Sequence, residues 1–273
     1  MAIRWNGVIC EDHATGDCID LSRDDKPRDC GMIEVKNLSK VFKDRKKGDV
    51  WALNDVSFSI GQGEIFALLG PNGAGKTTTL RILSTLIEPT SGEAHIQQFS
   101  IKNNKEDIRK LIGVVSYETG VYEKMTPREI GLFFGRLNDL TDEQIEKNLE
   151  YIFQLLRMKD FCDHRTDNFS SGMKQKTVIM RALVTNPQIL IFDEPTAGLD
   201  LLTAKNVTDY IRLLRDDGKT ILFSTHILWE AERLADRIAI IHKGKIVENG
   251  TLTELRQKTG KTDIEEIFFS IVD

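Results

Sequence analysis

EIFALLGPNGAGKTTTLRIL, residues 64–83, settles the architecture before any other segment is read. IFALL (65–69) is wholly apolar, as strands covered on both faces of a parallel sheet are. GPNGAGKT (70–77) fits G-x-x-x-x-G-K-[ST] at every fixed position, and a helical pattern follows it. Gly70, Gly73 and Gly75, with Pro71, Asn72 and Ala74 between them, let successive backbone N–H groups curl around phosphate oxygens. The next helix points its N-terminus at the same anion. Lys76 supplies a point charge for the outer phosphates, Thr77 a hydroxyl for Mg²⁺, and Thr78 a contact to an inner phosphate.

The same grammar continues along the chain. ILIFDE (189–194) and TILFST (220–225) are apolar runs with polar ends, again the mark of buried parallel strands. Strands are predicted at 33–37, 51–60, 64–69, 93–97, 111–115, 188–193, 219–224, 236–242 and 245–249. Helices are predicted at 75–87, 105–110, 126–137, 141–157, 170–185, 201–216, 227–234, 251–258 and 263–271. The early strands and the late IAIIHKGKIVENG pair, with Gly244 at its turn, read as antiparallel. The middle, about 100–165, is helix-rich and interrupts the α/β alternation, and no internal repeat is visible.

The 273 residues are 40% hydrophobic and 29% charged with a net charge of −5, which is ordinary for a globular protein and offers no electrostatic case for nucleic acid. No apolar run reaches the roughly 20 residues of a membrane-spanning helix. MAIRWNGVICEDHATGD lacks the apolar core of a secretory signal, which predicts a cytosolic chain. Residues 1–31 carry Glu11, Asp12, Asp17, Asp20, Asp24, Asp25 and Asp29 against Arg4, Arg23, Lys26 and Arg28, without apolar periodicity, and are expected to be disordered. Cys10, His13, Cys18 and Cys30 fit no common zinc spacing and read as thiols and an imidazole on a loose tail. Met32 opens a clean strand alternation and is the expected start of the folded part.

Three further places carry chemistry. Asp193 ends an apolar strand where a Mg²⁺-holding aspartate belongs, and Glu194 follows on a turn stiffened by Pro195, where a carboxylate can order and deprotonate a water. His226 follows another strand end, where ligands of parallel sheets collect. NFSSGMKQKTVIMRAL (168–183) is a second, weaker anion site: Ser170 or Ser171 caps a helix whose apolar stripe is Val178, Ile179, Ala182 and Leu183.

Phosphate loop, FSSGMKQK, ILIFDEPTAGLD and STH occur in one order, and that order resembles the ATP-binding subunit of an ABC transporter over about residues 32–250. The resemblance implies a P-loop NTPase cassette: an α/β fold with a mostly parallel core sheet, an antiparallel β subdomain and a helical subdomain at about 100–180, followed by a helical tail at 251–273. It implies ATP with Mg²⁺, and two cassettes closing on two ATP molecules. The family signature Leu-Ser-Gly-Gly-Gln falls on Phe169, Ser170, Ser171, Gly172 and Met173, which would bind the γ-phosphate held by the other cassette's phosphate loop. AGLD matches the loop that crosses the interface and ends in Asp200; His226 matches the switch histidine; Phe42 matches the aromatic that stacks on adenine, with Trp51 as a second candidate.

Ser171 and Met173 depart from the family's glycine and glutamine. The family's metal-contacting glutamine aligns with Tyr117, followed by Glu118, so that Glu118 or a bridging water takes its place. These departures, with TPRE and FGRL, resemble the sodium-efflux (NatA-type) subunits. That implies export through a separate integral membrane permease, with the chain peripheral at the cytoplasmic face and no nucleic-acid partner. The stripe Ile264, Ile267, Phe268 and Ile271 in the tail is expected to pack on its own domain. The competing reading is a single soluble cassette working in a non-transport process. A non-hydrolysing regulatory module and a small-molecule kinase fit the Lys76, Asp193, Glu194 and His226 set less well.

Overall fold

The computed structural model describes residues 31–44, 48–116 and 120–272. The acidic N-terminal segment with its cysteines, and Tyr117 and Glu118, lie outside the described residues.

Ten strands and nine α-helices form two sheets and a helical layer among the described residues. The first sheet is antiparallel, in the order β2-β1-β4-β5, from β1 (Ile33–Asp44), β2 (Gly48–Ile60), β4 (Ser91–Ile96) and β5 (Phe99–Ser100). The second has six strands in the order β10-β9-β3-β8-β7-β6. In it β3 (Ile65–Leu69), β6 (Ile112–Ser116), β7 (Ile189–Asp193), β8 (Thr220–Thr225) and β9 (Arg237–His242) run parallel, and only β10 (Lys245–Gly250) is reversed, through the Lys243–Gly244 turn. The strand predicted at 111–115 is β6, which returns the helix-rich stretch to the main sheet.

Side chains alternate across that sheet with the period of two that a strand imposes. Phe66, Leu68, Ile189, Ile191 and Leu222 face one core; Ile65, Ala67, Leu69, Leu190, Phe192, Ile221 and Phe223 face the other. The first core is closed by the antiparallel sheet, by α1 (Lys76–Leu83) and by α2 (Lys105–Leu111), with Phe58 stacked on Phe66 at 5.2 Å. The second is closed by α3 (Pro127–Leu137), α4 (Asp142–Leu155), α5 (Ser171–Leu183), α6 (Leu201–Asp216), α7 (Leu228–Leu234), α8 (Leu252–Thr259) and α9 (Ile264–Val272). Phe66, Phe192 and Phe223 are fully buried, and each contributes roughly 1.5–3 kcal/mol by leaving water.

β1 runs on to Asp44, beyond the predicted 37. The pairing with β2 shifts register between Val35 and Leu38, and Asn37 has φ 51°, so the alternation that marks a strand breaks while the strand continues. In the tail, Ile264 and Ile267 are buried against the chain's own second core, as the stripe predicts.

Candidate active site

β3, β7 and β8 are neighbours, and their C-terminal ends release the phosphate loop, Asp193–Glu194 and His226 at one edge of the sheet. The loop is seated by backbone contacts. Gly70 N–H donates to Thr225 O at 3.2 Å, and Gly244 N–H donates to Ala74 O at 2.9 Å. A Cβ on Gly70 would lie 2.2 Å from Ile241 O. Gly75 has φ 112°, and a Cβ there would meet Ala52 O at 2.6 Å, so this turn accepts no side chain. Pro71, Asn72 and Gly73 form the outer arc, and Ala74 turns inward into the core beside Leu80.

Lys76 opens α1 and is 4% exposed. Its Nζ donates to Gly70 O at 2.7 Å and Pro71 O at 3.1 Å, and lies 3.3 Å from Glu194 Oε1. Thr77 Oγ1 donates to Asp193 Oδ1 at 3.1 Å. A hydroxyl and a carboxylate one hydrogen bond apart are a hard-oxygen pair that suits Mg²⁺, which takes only one or two protein ligands and completes its shell with phosphate and water. Among the described residues no cluster of three or more His, Cys, Asp or Glu offers a closed metal cage. Thr78 sits in the first turn of α1 beside them.

Glu194 lies between two nitrogens: Lys76 on one side and His226 Nδ1, 3.1 Å from its Oε2, on the other. Its own backbone is left-handed, with φ 48°, a conformation costing about 1–2 kcal/mol for an L-residue. Its N–H is anchored by donating to Ser224 O at 3.2 Å and Ser224 Oγ at 3.1 Å. Ser224 Oγ also donates to Asp193 Oδ1 at 2.6 Å. Ser224 thus orients both acids, a role sequence reading did not assign; its position directly across from Asp193 on the paired strand was the missing information.

Ser170 is the N-cap of α5, its Oγ accepting from Met173 N–H at 3.3 Å. The cap occupies the Met173 N–H, leaving those of Ser171 and Gly172 at the exposed helix end. Gln175 Nε2 donates to Pro195 O at 3.1 Å, so α5 is tied to the turn behind Glu194. Asp200 caps α6, accepting from Leu202 and Thr203 N–H at 3.0 Å each and from the Thr203 hydroxyl at 2.7 Å. These bonds, the hydroxyl's first, hold its carboxyl below the usual range. Phe42 and Trp51 are both exposed on the β1–β2 hairpin, but they belong to consecutive cross-strand pairs, Phe42 with Val50 and Trp51 with Val41, and so face opposite sides.

The structure thus gathers Gly70 to Thr78, Asp193, Glu194 and His226 at the C-terminal ends of β3, β7 and β8, while Ser170, Ser171 and Gly172 open a helix that belongs to the other core. α1 packs into the core beneath the antiparallel sheet, whereas α5 packs into the core on the other face of the parallel sheet.

Residues 53–197 match the family model described as ABC transporter. The chain is 39% identical over 240 residues to the ABC transporter ATP-binding protein NatA of Bacillus subtilis, covering 88% of this chain and 97% of that one. It belongs to the ABC transporter family. Among solved structures, an ATP-binding subunit of an ABC transporter superposes with TM-score 0.76 and 32% identity over 88% of this chain and 99% of its own. A dimeric ATP-binding cassette in a post-hydrolysis state bound to ADP and Pi gives TM-score 0.70 and 27% identity over 81% of this chain and 98% of its own. This ABC cassette is an ATPase. The matched segment carries the phosphate loop, FSSGM, Asp193 and Glu194; Asp200 and His226 lie beyond it.

Proposed function

We propose that the chain is the ATP-hydrolysing subunit of a membrane exporter, working as a pair of cassettes on a separate integral membrane permease. One observation carries this reading: the helix that follows the phosphate loop and the helix capped by Ser170 pack on opposite faces of one sheet. A γ-phosphate held by the phosphate loop of one chain and met by the start of α5 of a second chain uses both helix ends at once. The dimeric relative bound to ADP and Pi supports that arrangement.

In this reading the Gly70–Thr78 backbone and Lys76 cradle the phosphates, and Thr77 with Asp193 would hold Mg²⁺, which would neutralise charge on the transferring phosphate. Either Phe42 or Trp51 stacks on adenine, and their opposed faces exclude both at once. Glu194 takes the proton from the attacking water as its oxygen bonds the γ-phosphorus and the bond to the leaving ADP oxygen breaks. His226, 3.1 Å away, orients that carboxylate and meets the γ-phosphate. Ser170, Ser171 and Gly172 of the second chain contact the same γ-phosphate, and Asp200 rigidifies the loop that crosses the interface.

Among the described residues no helix is long and apolar enough to cross a membrane. The permease of this reading is a separate polypeptide, and the cassette a peripheral subunit at its cytoplasmic face. An open groove on α3, where Met125, Leu132, Phe133 and Leu137 alternate with the charged Lys124, Glu129 and Arg136, suits an amphipathic helix from that subunit. Export, with Na⁺ as cargo, rests on the resemblance of FSSGM and SYETGVYEKMTPRE to sodium-efflux subunits.

Two measurements test this. The tagged chain, purified from mild-detergent extract, is expected to bring an integral membrane protein with it; recovery with ribosomes or DNA and no membrane protein would sink the transporter reading. Glu194→Gln is expected to bind ATP, to lose hydrolysis by roughly a hundredfold or more, as general-base removal does, and to accumulate as an ATP-dependent dimer. An unchanged hydrolysis rate removes Glu194 from the base role.

A further inference from the structure

One buried acid has no part in the chemistry above. Glu230, in the first turn of α7, is 1% exposed, and a carboxylate at such a site is costly unless its oxygens are paired. Both are. Thr196 Oγ1 donates to Oε1, and Thr225 Oγ1 donates to Oε2 at 2.6 Å. The two threonines belong to the two segments that carry the site. Thr196 is two residues past Glu194, in the turn whose Ala197 N–H donates to Glu194 O at 3.1 Å. Thr225 immediately precedes His226, and its Oγ1 accepts from Ile227 N–H at 2.9 Å. Its carbonyl also accepts from Gly70 N–H, the first residue of the phosphate loop, at 3.2 Å. One carboxyl therefore clasps the turn after the proposed base to the strand end before the proposed switch.

We propose that Glu230 is a positioning residue that sets the separation of Glu194 and His226, acting through Thr196 and Thr225 and touching no nucleotide itself. The proposal rests on the reading of Glu194 and His226 as a hydrolytic pair. The physical reason lies in donor counting. A carboxylate accepts from both hydroxyls at once, so each threonine is pinned in one rotamer and Thr225 keeps its remaining acceptor capacity for Ile227 N–H. An amide in the same place has one accepting oxygen and one donating nitrogen. One threonine must then turn its hydroxyl, and that arm of the clasp loosens. Misplacing a catalytic group by about 1 Å is enough to cost up to about a hundredfold.

The test uses steady-state phosphate release and fluorescent-ATP binding on the full chain carrying Glu230→Gln, His226→Ala, or both. Glu230→Gln is expected to lower kcat roughly ten- to a hundredfold with KM and nucleotide affinity changed less than about twofold, as loss of positioning without loss of binding requires. In the His226→Ala background the same change is expected to cost little more, because the pair it positions is already broken. Thr196→Val is expected to reproduce the kcat loss and Thr196→Ser to restore it, a comparison that stands even where Glu230→Gln fails to fold. Unchanged kcat in folded Glu230→Gln, a loss that appears in KM, or full multiplication of the two losses in the double variant overturns the proposal. If His226→Ala alone leaves hydrolysis intact, it is the hydrolytic-pair reading that fails.

Discussion

Glu230 also makes a prediction about stability that is separate from rate. Burial pushes its carboxyl above the ordinary value, with the hydroxyls of Thr196 and Thr225 opposing the shift. The folded state therefore binds the proton more tightly than the unfolded chain does. The stability this contributes is fully present below the unfolded value of about 4.5 and is lost as pH rises through the folded one. Glutamine at 230 does not titrate. Urea denaturation of the parent and of Glu230→Gln from about pH 4 upward is expected to show the parent losing ground to the variant as pH rises past the unfolded value; a pH-independent difference contradicts the assignment. Nothing in ILWEAERL marks Glu230 as buried, because a glutamate in a short amphipathic helix ordinarily faces water. Lys76, Thr77, Asp193 and Glu194 were legible because phosphate and Mg²⁺ chemistry needs those residue types at fixed spacing within one strand–loop–helix unit. Ser224 and Glu230 act across strands and helices, and their partners, Asp193 and Thr196, lie 31 and 34 residues away along the chain.

Among the elements, the wholly buried strands were the easiest to read, since apolar runs of about five residues rich in Ile and Phe and bounded by polar or glycine turns fit a strand covered on both faces better than a buried helix. β5, two residues long, carries no periodicity to read, and the readable alternation of β1 ends at its bulge although the strand runs on to Asp44. The helical segment shows a different kind of constraint. α3 begins with a capping box in which Thr126 and Glu129 each satisfy the other's backbone N–H, and α4 begins with another, Thr141 with Gln144. The two helices then approach closely through glycine: a Cβ on Gly131 would lie 2.4 Å from Leu149 Cδ2, and one on Gly135 2.5 Å from Ile145 Cγ1. Arg128 reinforces the same junction, pairing with Glu146 at 2.6 Å and with Asp163 at 2.8 Å. Gly131→Ala is expected to destabilise the fold by about 1–3 kcal/mol by overpacking, and Thr126→Ala by about 1 kcal/mol by loss of the cap. Neither side chain touches the phosphate loop, so fluorescent-ATP affinity is expected to stay within about twofold, as for independent sites. A large loss of affinity in either variant means that the helical layer is coupled to the loop more tightly than its contacts imply.

For the whole molecule, the decisive fact is that one sheet separates α1 from α5. FSSGMKQK was readable as an anion site from its serines and glycine, but no sequence pattern states on which face of a sheet a helix will pack. The arrangement makes Gly172 a discriminating position. A Cβ built there would meet only Thr203, at 3.6 Å, which is ordinary van der Waals contact, so the isolated chain has room for alanine. At Gly70 the same atom would strike Ile241 O at 2.2 Å. Gly70→Ala is thus expected to damage the loop within one chain and to abolish ATP binding outright. Gly172→Ala is expected to leave thermal stability and single-chain ATP affinity near the parent's. Its methyl group would instead stand between the Ser171 and Gly172 N–H groups and a phosphate brought by a second chain. Introduced with Glu194→Gln, it is expected to weaken the ATP-dependent dimer at least tenfold by light scattering, about 1.4 kcal/mol or more. An undiminished dimer would mean that the exposed start of α5 faces no phosphate, and the two-chain site would have to be abandoned.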